Sequence, residues 1–289
     1  DDRTLLSQAD FLKALSFCMM LPGPEAMQLA TYAGWKLNGL RGGLIAGGLF
    51  VLPGALLIAV LAFAYASFGA LPLVQAAFLG IKAAVIIIVV QAILKLLGRA
   101  LGRTDHRIVA ALAFAALFLF NMPFPAVIVL AAAYGAWACR DYSSIKTALP
   151  WRRSIAPVVV GGCLWVAPLL LAWIAGATFL LEIGLFFSKL ALVTFGGAYA
   201  VLAYMTQAVV TDYGWLTTPQ MIDALGLAET TPGPLILVTE FVGLLAGTAQ
   251  GGWTLGVLAG LMTVWVTFVP CFIWIFAGAP LIDWLDGYP

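Results

Sequence analysis

The sequence predicts an all-α fold: a polytopic helical membrane protein with two inverted repeats and helices broken at Pro-Gly-Pro. Three observations predict it. First, no Asp, Glu, Lys or Arg occurs between Gly42 and Ile81, Ile108 and Cys139, Ser154 and Leu181, or Phe241 and Ile282. Each window exceeds the roughly 20 apolar residues that cross a hydrocarbon core. Second, the tripeptide Pro-Gly-Pro stands inside an apolar stretch twice, at Pro22-Gly23-Pro24 and Pro232-Gly233-Pro234. Third, the residues before the two tripeptides align with each other.

Composition agrees. The chain is 63% hydrophobic and 9% charged, where a soluble domain carries about a quarter charged residues. The partner this predicts is the lipid bilayer. A formal net charge of +1 gives no signal for nucleic acid.

Each element follows in order. Lys36 to Arg41 form a first basic connection. Residues 42–68 cross the membrane, turn at Gly69-Ala70-Leu71-Pro72, and 73–94 return. Lys95, Arg99, Arg103 and Arg107 form a second basic connection. Residues 108–139 go out and back, with their turn at Asn121-Met122-Pro123-Phe124-Pro125 and arms of about 20 Å. Arg140, Lys146, Arg152 and Arg153 form a third basic connection. Residues 155–176 cross and 183–210 return. Residues 219–248, broken at Pro232, cross once more and end at Thr248-Ala249-Gln250-Gly251. The basic connections are cytoplasmic by the positive-inside rule. The 248–251 loop has no Lys or Arg and lies outside. Trp151, Trp215 and Trp284, near helix ends, read as interfacial anchors.

The repeat appears when 210 is subtracted from the second half. Leu6, Ala14, Leu15 and the first Pro-Gly-Pro match Leu216, Ala224, Leu225 and the second. Downstream, Gly43-Leu44-Ile45-Ala46-Gly47 resembles Gly256-Val257-Leu258-Ala259-Gly260. The 36–41 loop corresponds to the outside 248–251 loop, so the halves are inverted. Such a pair supports alternating access about a midplane site. The organisation is a first repeat at 1–150, a connecting transmembrane helix at 151–180 and a second repeat at 181–289. The counterpart of Phe195-Gly196-Gly197 would precede Asp1, and the counterpart of Gly80 to Val85 would follow Pro289. The expectation is therefore a longer protein, with one further helix at each end.

Proline cannot donate to the helix ladder, so each tripeptide exposes backbone N–H and C=O groups at depth. Lipid cannot satisfy them, so such a break must be packed in protein or line a wet cavity. A helix that restarts after the break presents unpaired N–H groups and about half a positive charge. That favours an anion. The expected substrate site is Pro22, Gly23, Pro24, Gln28, Pro232, Gly233 and Pro234, with hydroxyls from Thr194, Thr230 and Thr231 and the backbone of Gly196 and Gly197. Lys82 and Lys189 are the cations inside apolar windows and join the site. Snorkelling to the interface is the other reading of each, and Lys189 at a helix start suits it better. Glu25, Glu229 and Glu240 are the proton-coupling candidates. Favourable placement against the helix dipole is the other reading of Glu25, and a plain hydrogen bond between helices is the other reading of Glu229 and Glu240.

No metal or cofactor is expected. Cys18, Cys139, Cys163 and Cys271 lie far apart in apolar surroundings, and His106 sits alone in a basic connection. No catalytic residues are expected either: an intramembrane enzyme needs a nucleophile, metal or redox cofactor, and no ligand spacing supplies one.

The run from Leu21 through Pro22-Gly23-Pro24-Glu25-Ala26-Met27-Gln28 to Tyr32, with Phe50-Val51-Leu52-Pro53-Gly54, closely resembles the amino-terminal domain of the chromate ion transporter family. Phe186 to Lys189, Thr194 to Leu202 and Gly226 to Pro234 resemble that family's carboxy-terminal domain. The resemblance implies a bacterial inner (plasma) membrane protein of two domains that exports the oxyanion chromate, a sulfate-like anion, and confers resistance to it. An ion-coupled secondary transporter, in antiporter form, is the expectation, with a homodimer among the expected states. An anion channel and a transporter of a different oxyanion are the alternatives.

Overall fold

Helices account for every regular element among the described residues, as the apolar windows predict. The computed structural model describes residues 8–69, 71–72, 74–76, 78–80, 83, 87, 90–91, 94, 104–120, 122, 124–138, 151–195 and 198–286. They fall into two compact units, residues 83–148 and the remainder. The smaller unit holds α3 (Thr104–Phe118) and α4 (Phe124–Ala138). The chain leaves α3 through a turn in which Leu119 and Met122 donate to Ala115 and Ala116.

The larger unit holds α1 (Gln8–Met20), α2 (Glu25–Phe68), α5 (Trp151–Ile174), α6 (Thr178–Val193), α7 (Ala198–Gln207), α8 (Thr218–Thr230) and α9 (Val238–Asp286). A single π turn follows α7 at Ala208–Asp212, and a 3-10 turn, Leu235–Leu237, precedes α9. The start of α8 is fixed by a reciprocal cap between Thr217 and Gln220. Pro219 takes a first-turn position where its missing N–H costs nothing. Among the described residues, three helices are long and apolar enough to cross a membrane: Glu25–Phe68, Ile155–Ile174 and Leu235–Ala279. The chain is a multi-pass membrane protein.

Two of these long helices reverse on themselves. The helical dihedrals of α2 fail at Asn38 and Gly39, and those of α9 fail at Gly251 and Gly252. Beyond each reversal the arms pack antiparallel along small residues. The backbones of Gly34 and Gly42 touch, and Gly47 lies against the Thr31 side chain. In α9, Gly247 meets Leu255 and Gly256, and Gly243 meets Thr263. Such stripes let helices approach closely where lipid offers no hydrophobic drive. The first turn takes only Asn38-Gly39, so the expected 36–41 loop is shorter, with Lys36 and Arg41 still helical.

The breaks fold back as well. Residues 219–248 do not make the single crossing the sequence suggested. Gly54, on the second arm of α2, lies against Pro232 and Gly233. Eleven residues on, Tyr65 touches both sides of that break: its hydroxyl donates to Asp223 of α8 at 2.9 Å, and its ring lies 5.5 Å from that of Phe241 in α9. Both contacts require α8 and the start of α9 to lie side by side. Residues 183–210 are likewise not one returning helix. Phe186 and Tyr213 would stand about 40 Å apart on a straight helix, yet their rings are 5.1 Å apart. The chain turns at Thr194 and Phe195, and α7 runs back along α6. Hydropathy measures apolar length and not direction, which is why both hairpins read as crossings.

The first break has the same form. Passing along α9 from Cys271 to Ala279, the helix meets Gly23 and Gln28 first, then Phe17 of α1 and Gly43 of α2. So α1 and the first arm of α2 lie side by side with Pro22-Gly23-Pro24 at their tip. The second arm of α2 begins beside this hairpin and ends beside the other one. The two Pro-Gly-Pro hairpins therefore approach from opposite ends of that arm. The helix α5 runs antiparallel to α9: Gly161 packs on Ile273, and the Trp265 indole donates to Leu164 at 2.8 Å.

Candidate functional site

The site is built from the two Pro-Gly-Pro tips, the first on Cys271 of α9 and the second on Gly54 of α2, and a third tip, the turn at Thr194 and Phe195 that ends α6. At the first, Gly23 has φ 122° and at the second, Gly233 has φ 136°. Only glycine holds such angles without strain. The Gly23 N–H donates to the Thr194 carbonyl at 2.8 Å, tying the first tip to the third. The Gln28 side-chain amide, 0% exposed, donates to the Pro22 carbonyl at 2.8 Å. The side chains of Gln28 and Cys271 close over the Gly23 Cα. Pro22 and Gly23 are buried.

The second tip is different. Its glycine rests on Gly54 and Leu237, and Leu237 donates to the Pro234 carbonyl at 2.9 Å. Pro232 and Gly233 are exposed. The two tips share a support. Gly47 packs on Phe272, the neighbour of Cys271 at the first tip, and Gly54 carries the second.

Helix starts at both tips present donors. After Pro24 the first intrahelical bond is from the Gln28 N–H, so the N–H groups of 25–27 precede the ladder. At the second tip the N–H groups of Leu235 and Ile236 precede the first bond, from Leu237. These are groups that suit an anion.

The predicted side chains take distinct places. Thr194 is buried, and its hydroxyl donates to Leu190 at 2.6 Å. Thr230 donates to Gly226 and Leu227, and Thr231 to Leu227, closing the last carbonyls of α8. Their hydrogens point back into the helix, so each offers an approaching ligand its hydroxyl oxygen. Glu25 is half-buried in the first turn of α2, where the dipole favours it. Glu229 is half-buried at the end of α8. Glu240 is 5% exposed, and its Oε2 accepts no hydrogen bond. Lys189 is exposed, with its ammonium 5.7 Å from the centre of the Tyr204 ring. Lys82, Gly196 and Gly197 lie outside the described residues. Trp215 corrects its reading as an interfacial anchor: it is buried among Phe179, Phe186, Phe187 and Tyr213.

Sequence reasoning missed the Tyr65–Asp223 link and the amide cap by Gln28. The second had a signal, a lone amide one turn beyond Pro24 in an apolar run. The first had none, because 158 residues separate its partners.

A family model described as chromate transporter matches residues 1–136 and 181–289. The chain is 30% identical over 282 residues to a chromate transport protein of Cupriavidus metallidurans, covering 95% of this chain and 65% of that one. It is 33% identical over 298 residues to a chromate transport protein of Pseudomonas aeruginosa, covering 94% and 64%. A probable chromate transport protein of Synechococcus elongatus is 30% identical over 281 residues, covering 97% and 68%. The chain thus spans about two thirds of the length of these curated relatives. No solved structure matches it.

Proposed function

The chain belongs to the chromate transporter family, and we propose that it forms the oxyanion pathway of a secondary transporter that exports chromate. The observation that carries this reading is the opposed pair of Pro-Gly-Pro tips, the first packed on Cys271 of α9 and the second on Gly54 of α2. Paired broken helices in two halves mark the substrate site of secondary transporters. Chromate is a doubly charged tetrahedral oxyanion, and the N–H groups after each tip suit its oxygens. The two halves act as inverted repeats, moving about the fixed tips to expose the site to one side and then the other. Sulfate shares charge and shape with chromate and is the expected competitor. Ion coupling and a homodimeric assembly belong to the same reading.

A gated transporter fits better than a channel. A channel needs a continuous wet path, and Pro22 and Gly23 are sealed by Gln28, Cys271 and Thr194. The transport names of the relatives favour neither chromate reduction nor any other enzyme activity. The test is chromate flux in proteoliposomes carrying the complete protein. Saturable flux that responds to an imposed ion gradient supports the transporter. Flux that never saturates and ignores the gradient supports the channel, and no flux at all overturns both.

A further inference from the structure

Glu240 occupies a position whose counterpart is apolar. The turns Asn38-Gly39 and Gly251-Gly252, and the seam glycines Gly34, Gly43 and Gly47 against Gly247, Gly256 and Gly260, superpose at a shift of 213. The tripeptides align at 210, and the three extra residues are the 3-10 turn Leu235–Leu237. At a shift of 213, Glu240 falls on Met27. Met27 is 0% exposed, with its sulfur 3.7 Å from the Thr31 hydroxyl. In the second hairpin the same slot holds a carboxyl whose Oε2 has no partner.

Its surroundings leave the charge uncompensated. Across the seam the side chain lies beside Gly260. The second arm of α9 carries no Asp, Glu, Lys, Arg or His before Asp283, and its one thiol, Cys271, is at the first tip. From α2 the ionisable neighbour is Tyr65, bonded to Asp223 of α8. Glu229 ends α8. On α6 the ionisable groups are Glu182 and Lys189, and the Lys189 ammonium lies over Tyr204 of α7. Among the described residues, none of these groups hydrogen-bonds Glu240 Oε2. An ionised carboxyl so placed carries a desolvation cost that a bound proton removes.

Glu240 also sits close to the second tip. It lies one turn beyond the 3-10 turn, about 10 Å of chain rise from Gly233. We infer that Glu240 is a proton-binding site linked to oxyanion binding at the second Pro-Gly-Pro tip, so that proton and oxyanion favour each other. The inference rests on the transport reading above. The linkage is electrostatic. An ionised Glu240 repels a dianion at the tip, and a protonated Glu240 does not. Linkage is reciprocal, so the oxyanion draws a proton onto the protein. Oxyanion affinity is then highest with Glu240 protonated and falls as pH rises past the point where its proton leaves.

The experiment uses the complete, detergent-solubilised protein and chromate in weakly buffered alkaline solution, where free chromate is the dianion. Binding affinity and proton uptake are measured together. The parent should bind chromate with net proton uptake, and its affinity should fall about tenfold or more with rising pH. Glu240→Gln mimics the protonated acid. It should bind as the parent does at low pH, with no uptake and no pH dependence. Glu240→Met, which copies Met27, controls for packing and should also lose the uptake. Glu182→Gln, at an exposed carboxylate of α6, should keep both properties. Proton uptake persisting in both Glu240 variants overturns the inference, as does parental binding that is independent of pH or depends on sodium instead. Absence of chromate binding to the parent at every pH overturns the transport reading itself, and the inference falls with it.

Discussion

Gly23 and Gly233 hold the same left-handed turn, yet one is buried under three neighbours and the other is exposed. The shared tripeptide sets the backbone of both tips. The neighbours decide what each tip can do. At the first, Thr194, Gln28 and Cys271 consume or cover the polar groups of Pro22 and Gly23. At the second, the α8 threonines cap their own helix and leave Pro232 and Gly233 open. One motif thus serves once as a sealed joint and once as an open mouth.

The sharpest way to break this comparison is to add a methyl group at each tip. Gly23→Ala should destabilise the protein by about 3 kcal/mol or more, because left-handed strain adds to displacement of Gln28 and Cys271. Thermal unfolding in detergent would show it as a large drop in Tm. Gly233→Ala should cost only about 1–2 kcal/mol, mostly strain. It should lose chromate flux at a Tm close to the parent's. Equal Tm losses would remove the distinction between the tips.

Smaller effects sharpen it. Gln28→Ala leaves the buried Pro22 carbonyl unpaired and should cost about 1–3 kcal/mol, read as Tm. Gln28→Glu should not rescue it, since an ionised carboxylate cannot donate to a carbonyl. Tyr65→Phe removes the link from α2 to the second hairpin and should cost about 1–2 kcal/mol. Hydrogen exchange should rise in α8 and leave α1 unchanged. Lys189→Gln should have the smallest effect, about 0.5–1 kcal/mol, because it removes one exposed contact with an aromatic ring.

Much of this was legible in the sequence because proline and glycine punctuate it. Both tips, the Gly69 turn and the apolar helices follow from residues whose backbone limits are local. Direction was not legible. Nothing in residues 183–210 or 219–248 says whether the helix after a break continues or returns. That is decided by distant contacts, such as Phe186 with Tyr213 and Tyr65 with Asp223. The pairing of Glu240 with Met27 was hidden for a simpler reason. The Pro-Gly-Pro register of 210 misaligns everything beyond the three-residue turn at Leu235–Leu237. The bond from Gly23 to Thr194 was likewise invisible, although both residues had been assigned to one site on chemical grounds.

The measurement that tests the central claim most directly is thiol labelling at the two tips. Pro232→Cys and Pro22→Cys would be made separately in the complete protein, with Cys139 and Cys163 replaced by Ser. Each would be exposed to a charged thiol reagent with and without saturating chromate. The account predicts rapid labelling of Pro232→Cys that chromate slows, and little labelling of Pro22→Cys in either condition. Labelling of Pro232→Cys that chromate leaves unchanged, or equal labelling at the two tips, would contradict it.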